Sequence, residues 1–173
     1  MPHRMVTDHE RGVSVEQNSH GPASIFEFTP DMSVGIMSID ADHMAFFELA
    51  KLIAEIPNDE NRNSIVLSSL AILDEYVDGH FLREEKAMRK VNYPHLAGHH
   101  LKHNQFRARI RAIGDVYREG TLSAVDDLHS LVVQWLRGHI ATEDNRYKNW
   151  LTSSVVDDRP LVYLAIEAED FIN

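Results

Sequence analysis

The sequence contains no cysteine at all. This absence excludes disulfide cross-links, thiolate zinc sites, iron–sulfur clusters and cysteine nucleophiles. Any metal ion that the chain binds must therefore be held by nitrogen and oxygen ligands.

Long apolar runs and positive charge are also scarce. No stretch approaches the roughly 18 to 20 apolar residues of a membrane-spanning helix, and the N-terminus lacks the apolar segment of a signal peptide. The chain has 17 Lys and Arg against 27 Asp and Glu, a formal net charge of -10. Phosphate backbones and anionic membrane surfaces are repelled by such a charge. We therefore expect a cytoplasmic protein that neither binds nucleic acid nor inserts into a membrane.

Histidine is unusually abundant. The apolar fraction of 43% and the charged fraction of 25% are ordinary for a soluble protein, and 173 residues fit one domain. The 11 histidines are not explained by composition alone. They are the natural place to look for a metal site.

Four segments carry apolar residues at the three- and four-residue steps of amphipathic helices. The segments are residues 40–56, 61–91, 95–118 and 122–151. Pro57, Pro94 and Gly120 lie in the breaks between them. Because the connections are short, neighbouring helices should run antiparallel. The sequence predicts an all-α fold, an up-down-up-down four-helix bundle over residues 25–151.

Both ends of the chain lie outside the predicted helices. Residues 1–24 are polar and are predicted to be a flexible extension, and residues 25–39 to be an arm that packs on the bundle. Residues 152–173 contain an apolar run, Leu161 to Ile166, and their structure is left unassigned. This C-terminal run either packs on the bundle as a clasp or projects to bind a partner protein or a second copy.

Histidines and carboxylates interrupt the apolar stripes of the predicted helices. His80 and Glu84 continue the stripe of the second helix, so the helix that buries its apolar residues must bury them too. A buried carboxylate without a partner costs several kcal/mol. Four further histidines lie on the stripes of the other three helices: His43, His99, His103 and His139. Each helix is therefore predicted to point a nitrogen ligand into one core.

The spacing of these residues suits chelation. His80 and Glu84 are four residues apart, as are His99 and His103, so each pair shares one helical face. His139 and Asp144 are five residues apart, which is about 140° around a regular helix. Either Asp144 reaches in from the flank, or a local π-bulge brings it to the same face.

The remaining six histidines are interpreted as residues of the tail, loops or solvated faces. They are His3, His9, His20, His95, His100 and His129.

Arranged in this way, the chain resembles the hemerythrin family, and in particular the bacteriohemerythrins. Four segments carry the resemblance: SVGIMSIDADH (33–43), HFLREEKAM (80–88), YPHLAGHHLKH (93–103) and WLRGHIATED (135–144). The match runs from about Phe28 to Leu151. Two positions depart from the family pattern, which usually has Trp where Phe28 stands and Gln where Asp42 stands.

The resemblance implies a non-haem di-iron centre. His99, His103 and His139 would bind one iron, and His43 and His80 the other. Glu84 and Asp144 would bridge the two ions together with an oxo or hydroxo group. The two-histidine iron would then keep one open position, where O2 is the expected ligand.

The resemblance also suggests the surroundings of the open position. By family position its apolar wall would be formed by Phe46, Phe81, Trp135, Leu136 and Ile140. Tyr147, one turn after Asp144, would contact the ligands by a hydrogen bond.

Three functions remain open from the sequence. The first is an oxygen carrier or store that binds O2 reversibly and is not an enzyme. The second is an O2 or redox sensor that signals through the terminal extensions. The third is a di-iron peroxidase or nitric-oxide-handling enzyme. The ratio of five histidines to two carboxylates favours O2 binding over oxidation chemistry, because ferritin-like oxidation sites use four Glu and two His.

Overall fold

The computed structural model describes residues 24–172, with side chains described for 24–168, and all regular elements in this part are helical. The four long helices are α1 (Met37–Ala54), α2 (Arg62–Lys90), α3 (Leu96–Arg118) and α4 (Leu128–His139). They form the antiparallel four-helix bundle predicted from the sequence, which is confirmed. The extension predicted for residues 1–24 lies outside the described residues except for Ser24. Among the described helices, none combines the length and apolar character needed to cross a membrane.

Two of the four helix starts differ from the prediction by three residues or more. Helix α1 begins at Met37 rather than at residue 40, after a short 3-10 turn at Pro30–Met32. The Asp40 carboxylate ties the arm to the first turn, because it accepts hydrogen bonds from Ser33 Oγ at 2.6 Å and Val34 N at 2.8 Å. Helix α4 begins at Leu128 rather than at residue 122, because Leu122–Val125 forms a separate 3-10 turn.

Two apolar clusters fill the bundle, and the site lies between them. In α1, Ile39 belongs to one cluster and Phe47 to the other, with His43 midway along the chain. In α2, Phe81 and Met88 flank Glu84 in the same way. The helices therefore hold the polar side chains at a level where apolar residues cover them on both sides.

The C-terminal residues form a further helix, Leu161–Ile172, which packs along α2. Its residues Leu164, Ala165 and Ala168 are buried, and Leu164 and Ala168 pack with Leu82 of α2. Gly79 of α2 allows this close approach, since an added Cβ would lie 2.6 Å from the Leu161 carbonyl oxygen. The C-terminal run therefore packs on the bundle, as the clasp alternative requires.

Charged groups strengthen this packing. Lys86 Nζ of α2 lies 3.3 Å from Asp157 Oδ2 and 2.7 Å from Glu167 Oε1. Arg159 Nη2 lies 2.6 Å from Asp157 and 2.7 Å from Glu167. Two basic and two acidic side chains thus join the C-terminal segment to α2.

Candidate metal centre

The bundle brings together the seven residues predicted to be metal ligands. His43 comes from α1, His80 and Glu84 from α2, His99 and His103 from α3, and His139 and Asp144 from α4 and the turn that follows it. All seven are at least 95% buried, and four of them have no exposed surface: His43, Glu84, His103 and Asp144.

Three of the histidines converge through their Nε2 atoms. His103 Nε2 lies 3.0 Å from His139 Nε2, which lies 3.3 Å from His99 Nε2. Donor atoms about 2.1 Å from one ion and at right angles to each other lie about 3.0 Å apart. This three-histidine group therefore has the spacing of ligands to a single cation.

The other two histidines form a second group on α1 and α2. The rings of His43 and His80 meet edge to face with centroids 4.9 Å apart. Their Nε2 atoms lie 4.0 Å and 3.7 Å from the same oxygen, Glu84 Oε1. His43, His80 and Glu84 thus form a second cluster with the spacing to hold a metal ion.

Each of the two carboxylates in the cluster, Glu84 and Asp144, contacts both histidine groups. Glu84 turns Oε1 to the two-histidine group, while its Oε2 lies 3.0 Å from His99 Nε2 and 3.3 Å from His103 Nε2. Asp144 Oδ2 lies 3.3 Å from His43 Nε2, and Asp144 Oδ1 lies 3.2 Å from His139 Nε2. The two oxygens of each side chain therefore face different histidine groups.

A π-helical turn, Ile140–Asp144, places Asp144 in the site. In a π-helix the backbone bonds span five residues, so residues five apart return to nearly the same face. The structure thus has the π-bulge that was one of the two alternatives for His139 and Asp144. Tyr147, which follows in a last α-helical turn, Asn145–Tyr147, reaches the same site.

Several polar atoms in this cluster have no hydrogen-bond partner among the described residues. They are both ring nitrogens of His43 and both carboxylate oxygens of Asp144. Leaving buried polar groups unsatisfied costs roughly 1–3 kcal/mol each, and more where they are charged. A bound cation removes this cost, so the donor set fits a metal ion better than it fits hydrogen bonding alone.

The electrostatics of the site also favour a cation. Burial opposes ionisation of Glu84, but the charge of His80 and hydrogen bonds from His103 and His99 hold the pKa of Glu84 well below its usual value. Burial likewise opposes protonation of His80 and His99, yet Glu84 raises the pKa of both. The carboxylate charge is thus retained in the core and attracts positive charge.

Three side chains contact the proposed ligands from outside. Asp42 Oδ2 accepts a hydrogen bond from His80 Nδ1 at 3.2 Å, and Glu85 Oε1 accepts one from His103 Nδ1 at 2.9 Å. The Tyr147 hydroxyl donates to Glu84 Oε1. Burial raises the pKa of Tyr147 well above its usual value, and the charges of Asp144 and Glu84 add to the effect. The hydroxyl therefore stays protonated as a donor.

Sequence reasoning missed Glu85 and noted Asp42 only as a departure from the family pattern. Glu85 lies off the apolar stripe of α2, which is typical of a solvated residue. It is nevertheless 4% exposed, because α3 covers that side of α2. One general rule could have pointed to Glu85: a metal-bound histidine usually donates its other N–H to an acceptor.

Aromatic rings form the wall on one side of the cluster. Phe81 stacks on His103 with centroids 3.6 Å apart, and Trp135 stacks on His139 at 4.3 Å. Phe46 meets His80 edge to face at 5.3 Å. Leu136 and Ile140 are buried in the same apolar cluster.

A narrow apolar gap, too tight to hold a water molecule, lies beside this wall. It is lined by Phe46, Trp135 and Leu136 from the predicted set, and by Phe106 and Val132, which were not included. Phe81 and Ile140 are not among its lining residues.

The other histidines lie away from the cluster or outside the described residues. His95 and His100 are exposed, and His129 is half-buried beside Phe26. His100 Nδ1 bonds to Glu85 at 2.8 Å rather than to the proposed ligands. His3, His9 and His20 lie outside the described residues.

The fold and these two donor clusters define a four-helix bundle protein with a cation-binding core. The family model described as the hemerythrin HHE cation binding domain matches residues 34–151. The chain belongs to the hemerythrin family, and the resemblance inferred from the sequence is confirmed.

Curated relatives agree with this assignment. The bacteriohemerythrin of Clostridium acetobutylicum is 25% identical over 134 residues, covering 71% of this chain and 98% of that protein. The bacteriohemerythrin of Stenotrophomonas maltophilia is 28% identical over 68% of this chain and 75% of its own length. The myohemerythrin of Riftia pachyptila is 29% identical over 64% of this chain and 81% of its own length. No solved structure matches the chain at a significant level.

Proposed function

We propose that this protein binds O2 reversibly at a non-haem di-iron centre. The observation that carries the proposal is that the two carboxylates of the cluster each face both histidine groups. Glu84 and Asp144 each turn one oxygen toward the three-histidine group and the other toward the two-histidine group. Carboxylates in this orientation are suited to bridge two metal ions.

The ligands follow from the two groups. His99, His103 and His139 would hold one iron, and His43 and His80 the other, with Glu84 and Asp144 between them. An oxo or hydroxo bridge completes the set that the resemblance implies. When bound, the iron pair supplies the two electrons that O2 binding draws on.

Binding rather than oxidation is favoured by the donor set and its surroundings. Five imidazoles and two carboxylates give a less anionic site than the four Glu and two His of ferritin-like proteins. The proposed ligands are at most 5% exposed, and aromatic rings cover the three-histidine group. Apolar walls exclude water, which would otherwise promote irreversible oxidation. We therefore infer a binding protein rather than an enzyme.

A sensor is the second candidate, because the C-terminal helix contacts α2 beside His80. Gly79, next to His80 in sequence, lies directly against Leu161 of that helix. A change at the site can therefore reach an element that lies outside the bundle.

Metal content tests the ligand assignment. Anaerobic loading with ferrous iron should give two ions per chain in the wild type. His80→Ala should lose one iron and O2 binding while keeping its helix content, because the two-histidine group then has a single imidazole. His95→Ala is the matched control, since His95 is exposed and lies away from the proposed ligands. Full iron content and O2 binding in His80→Ala would contradict the assignment.

A further inference from the structure

Asp42 is a buried carboxylate on α1 with two partners, and both belong to α2. Its Oδ2 accepts the hydrogen bond from His80 Nδ1 at 3.2 Å and lies 2.9 Å from Arg83 Nε. The side chains of Asp42 and Arg83 are 8% and 3% exposed, respectively. Burying this ion pair costs desolvation energy, which apolar residues at the same positions would not.

The hydrogen bond with Asp42 fixes how His80 can act. With its proton on Nδ1, the neutral ring keeps the lone pair on Nε2, the atom that faces Glu84. Acceptors of this kind orient metal-bound histidines and raise their basicity. Asp42 therefore selects the tautomer and the ring orientation that the proposed site needs.

Arg83 carries the connection outward. Its Nη2 donates a hydrogen bond of 2.8 Å to the backbone carbonyl of Arg159, in the segment that leads into the C-terminal helix. Lys86 of α2 also pairs with Asp157 of this segment and with Glu167 of the C-terminal helix. A continuous set of contacts thus runs from His80 through Asp42 and Arg83 to the C-terminal segment.

We propose that Asp42 and Arg83 are positioning residues. They couple the proposed metal site at His43 and His80 to docking of the C-terminal helix. This inference rests on the proposed function, since it requires metal at that position. Coupling of this kind is reciprocal. Docking of the helix raises the metal affinity by a certain factor, and metal binding favours docking by the same factor.

Titration with Co2+ under anaerobic conditions tests the role of Asp42. The wild type should bind two ions, and failure to do so would count against the proposed function itself. Asp42→Ala should lower the affinity for one of the two Co2+ ions about 10- to 100-fold and leave the affinity for the other unchanged. Asp42→Asn, which keeps an acceptor oxygen, should lie closer to the wild type. Equal weakening of both ions, or of neither, would overturn the proposal.

Variants of the C-terminal helix test the connection. Leu164→Asp places a charge in the buried contact with Leu82. It should lower the affinity for the same Co2+ ion that Asp42→Ala affects. Ile166→Asp is the matched control, because Ile166 is 60% exposed on the same helix. If Leu164→Asp fails to fold, Lys86→Met removes the cation shared by Asp157 and Glu167 and should produce a smaller shift of the same ion. Unchanged Co2+ affinity in the folded variant would refute the coupling.

Amide hydrogen exchange supplies a readout that is independent of metal affinity. In the wild type, Co2+ should slow exchange in residues 161–168, and this effect should be lost in Asp42→Ala. Slowing that persists in Asp42→Ala would show that the signal does not pass through this contact.

Discussion

At the scale of single residues, Glu84 illustrates how much of the site one side chain organises. It contacts both histidine groups and accepts the hydrogen bond of Tyr147, while having no exposed surface. Hydrogen bonds to charged groups contribute about 1.5–3 kcal/mol each. The tyrosine therefore stabilises the carboxylate and withdraws electron density from it.

Tyr147→Phe should keep the packing and remove only this hydrogen bond. The variant should lose about 1–3 kcal/mol of unfolding free energy. It should also oxidise faster in air, since a carboxylate without the donor stabilises ferric iron. Denaturant unfolding and the decay of the oxygenated spectrum measure the two effects.

Tyr117→Phe, a buried tyrosine at the far end of α3, is the matched control and should leave the oxidation rate unchanged. An unchanged oxidation rate in Tyr147→Phe would refute the electronic role of the hydroxyl.

Sequence patterns identified six of the seven proposed ligands because each lies on an apolar stripe, whereas Asp144 lies off the regular stripe and reaches the site through the π-helical turn. The structure gathers all seven in one cluster. Their role as iron ligands stays a prediction. Glu85 and Arg83 escaped notice, since neither lies on a stripe and their burial depends on α3 and the C-terminal helix. Contacts between distant segments are not encoded in local periodicity.

At the scale of elements, the helices were predicted well and the C-terminal segment was not. Four long apolar stripes separated by short breaks are enough to predict the bundle. The helix Leu161–Ile172 carries too few periodic positions for its partner to be recognised from sequence. Its packing depends instead on one glycine of α2, where the backbone of the C-terminal helix fits against Gly79.

Gly79→Ala should therefore destabilise the protein, although alanine is the better helix former. The new Cβ would lie 2.6 Å from a backbone oxygen, which cannot move without shifting the C-terminal helix. Gly98→Ala in α3 meets no atom within 4 Å and should stabilise the protein by about 0.5–1 kcal/mol.

Chemical denaturation of the two variants at equal metal loading measures this difference. Stabilisation by Gly79→Ala would contradict the close packing of the C-terminal helix on α2.

At the scale of the whole molecule, acidic residues in ion pairs link stability to pH. Hydrogen bonds from Arg159 hold the pKa of Asp157 below its usual value, and Lys86 does the same for Glu167. A carboxyl group whose pKa is lower in the folded than in the unfolded state stabilises the fold above its unfolded pKa, near 4. That contribution is lost as the pH falls through the folded value.

Stability should therefore decline as the pH falls from about 5 toward 3, and Asp157→Asn should flatten the decline. Denaturant unfolding at several pH values, compared between this variant and the wild type at equal metal loading, isolates the contribution of Asp157. Glu60→Gln, at an exposed position between α1 and α2, should follow the wild-type curve. A decline in Asp157→Asn as steep as in the wild type would show that the ion pairs do not set it.

The central claim is tested most directly by titrating the anaerobically reduced, iron-loaded protein with O2 while recording its visible spectrum. An absorption band should appear with O2, saturate, disappear when O2 is removed, and return on a second addition. Irreversible bleaching after the first addition, with release of peroxide, would contradict reversible O2 binding at this centre.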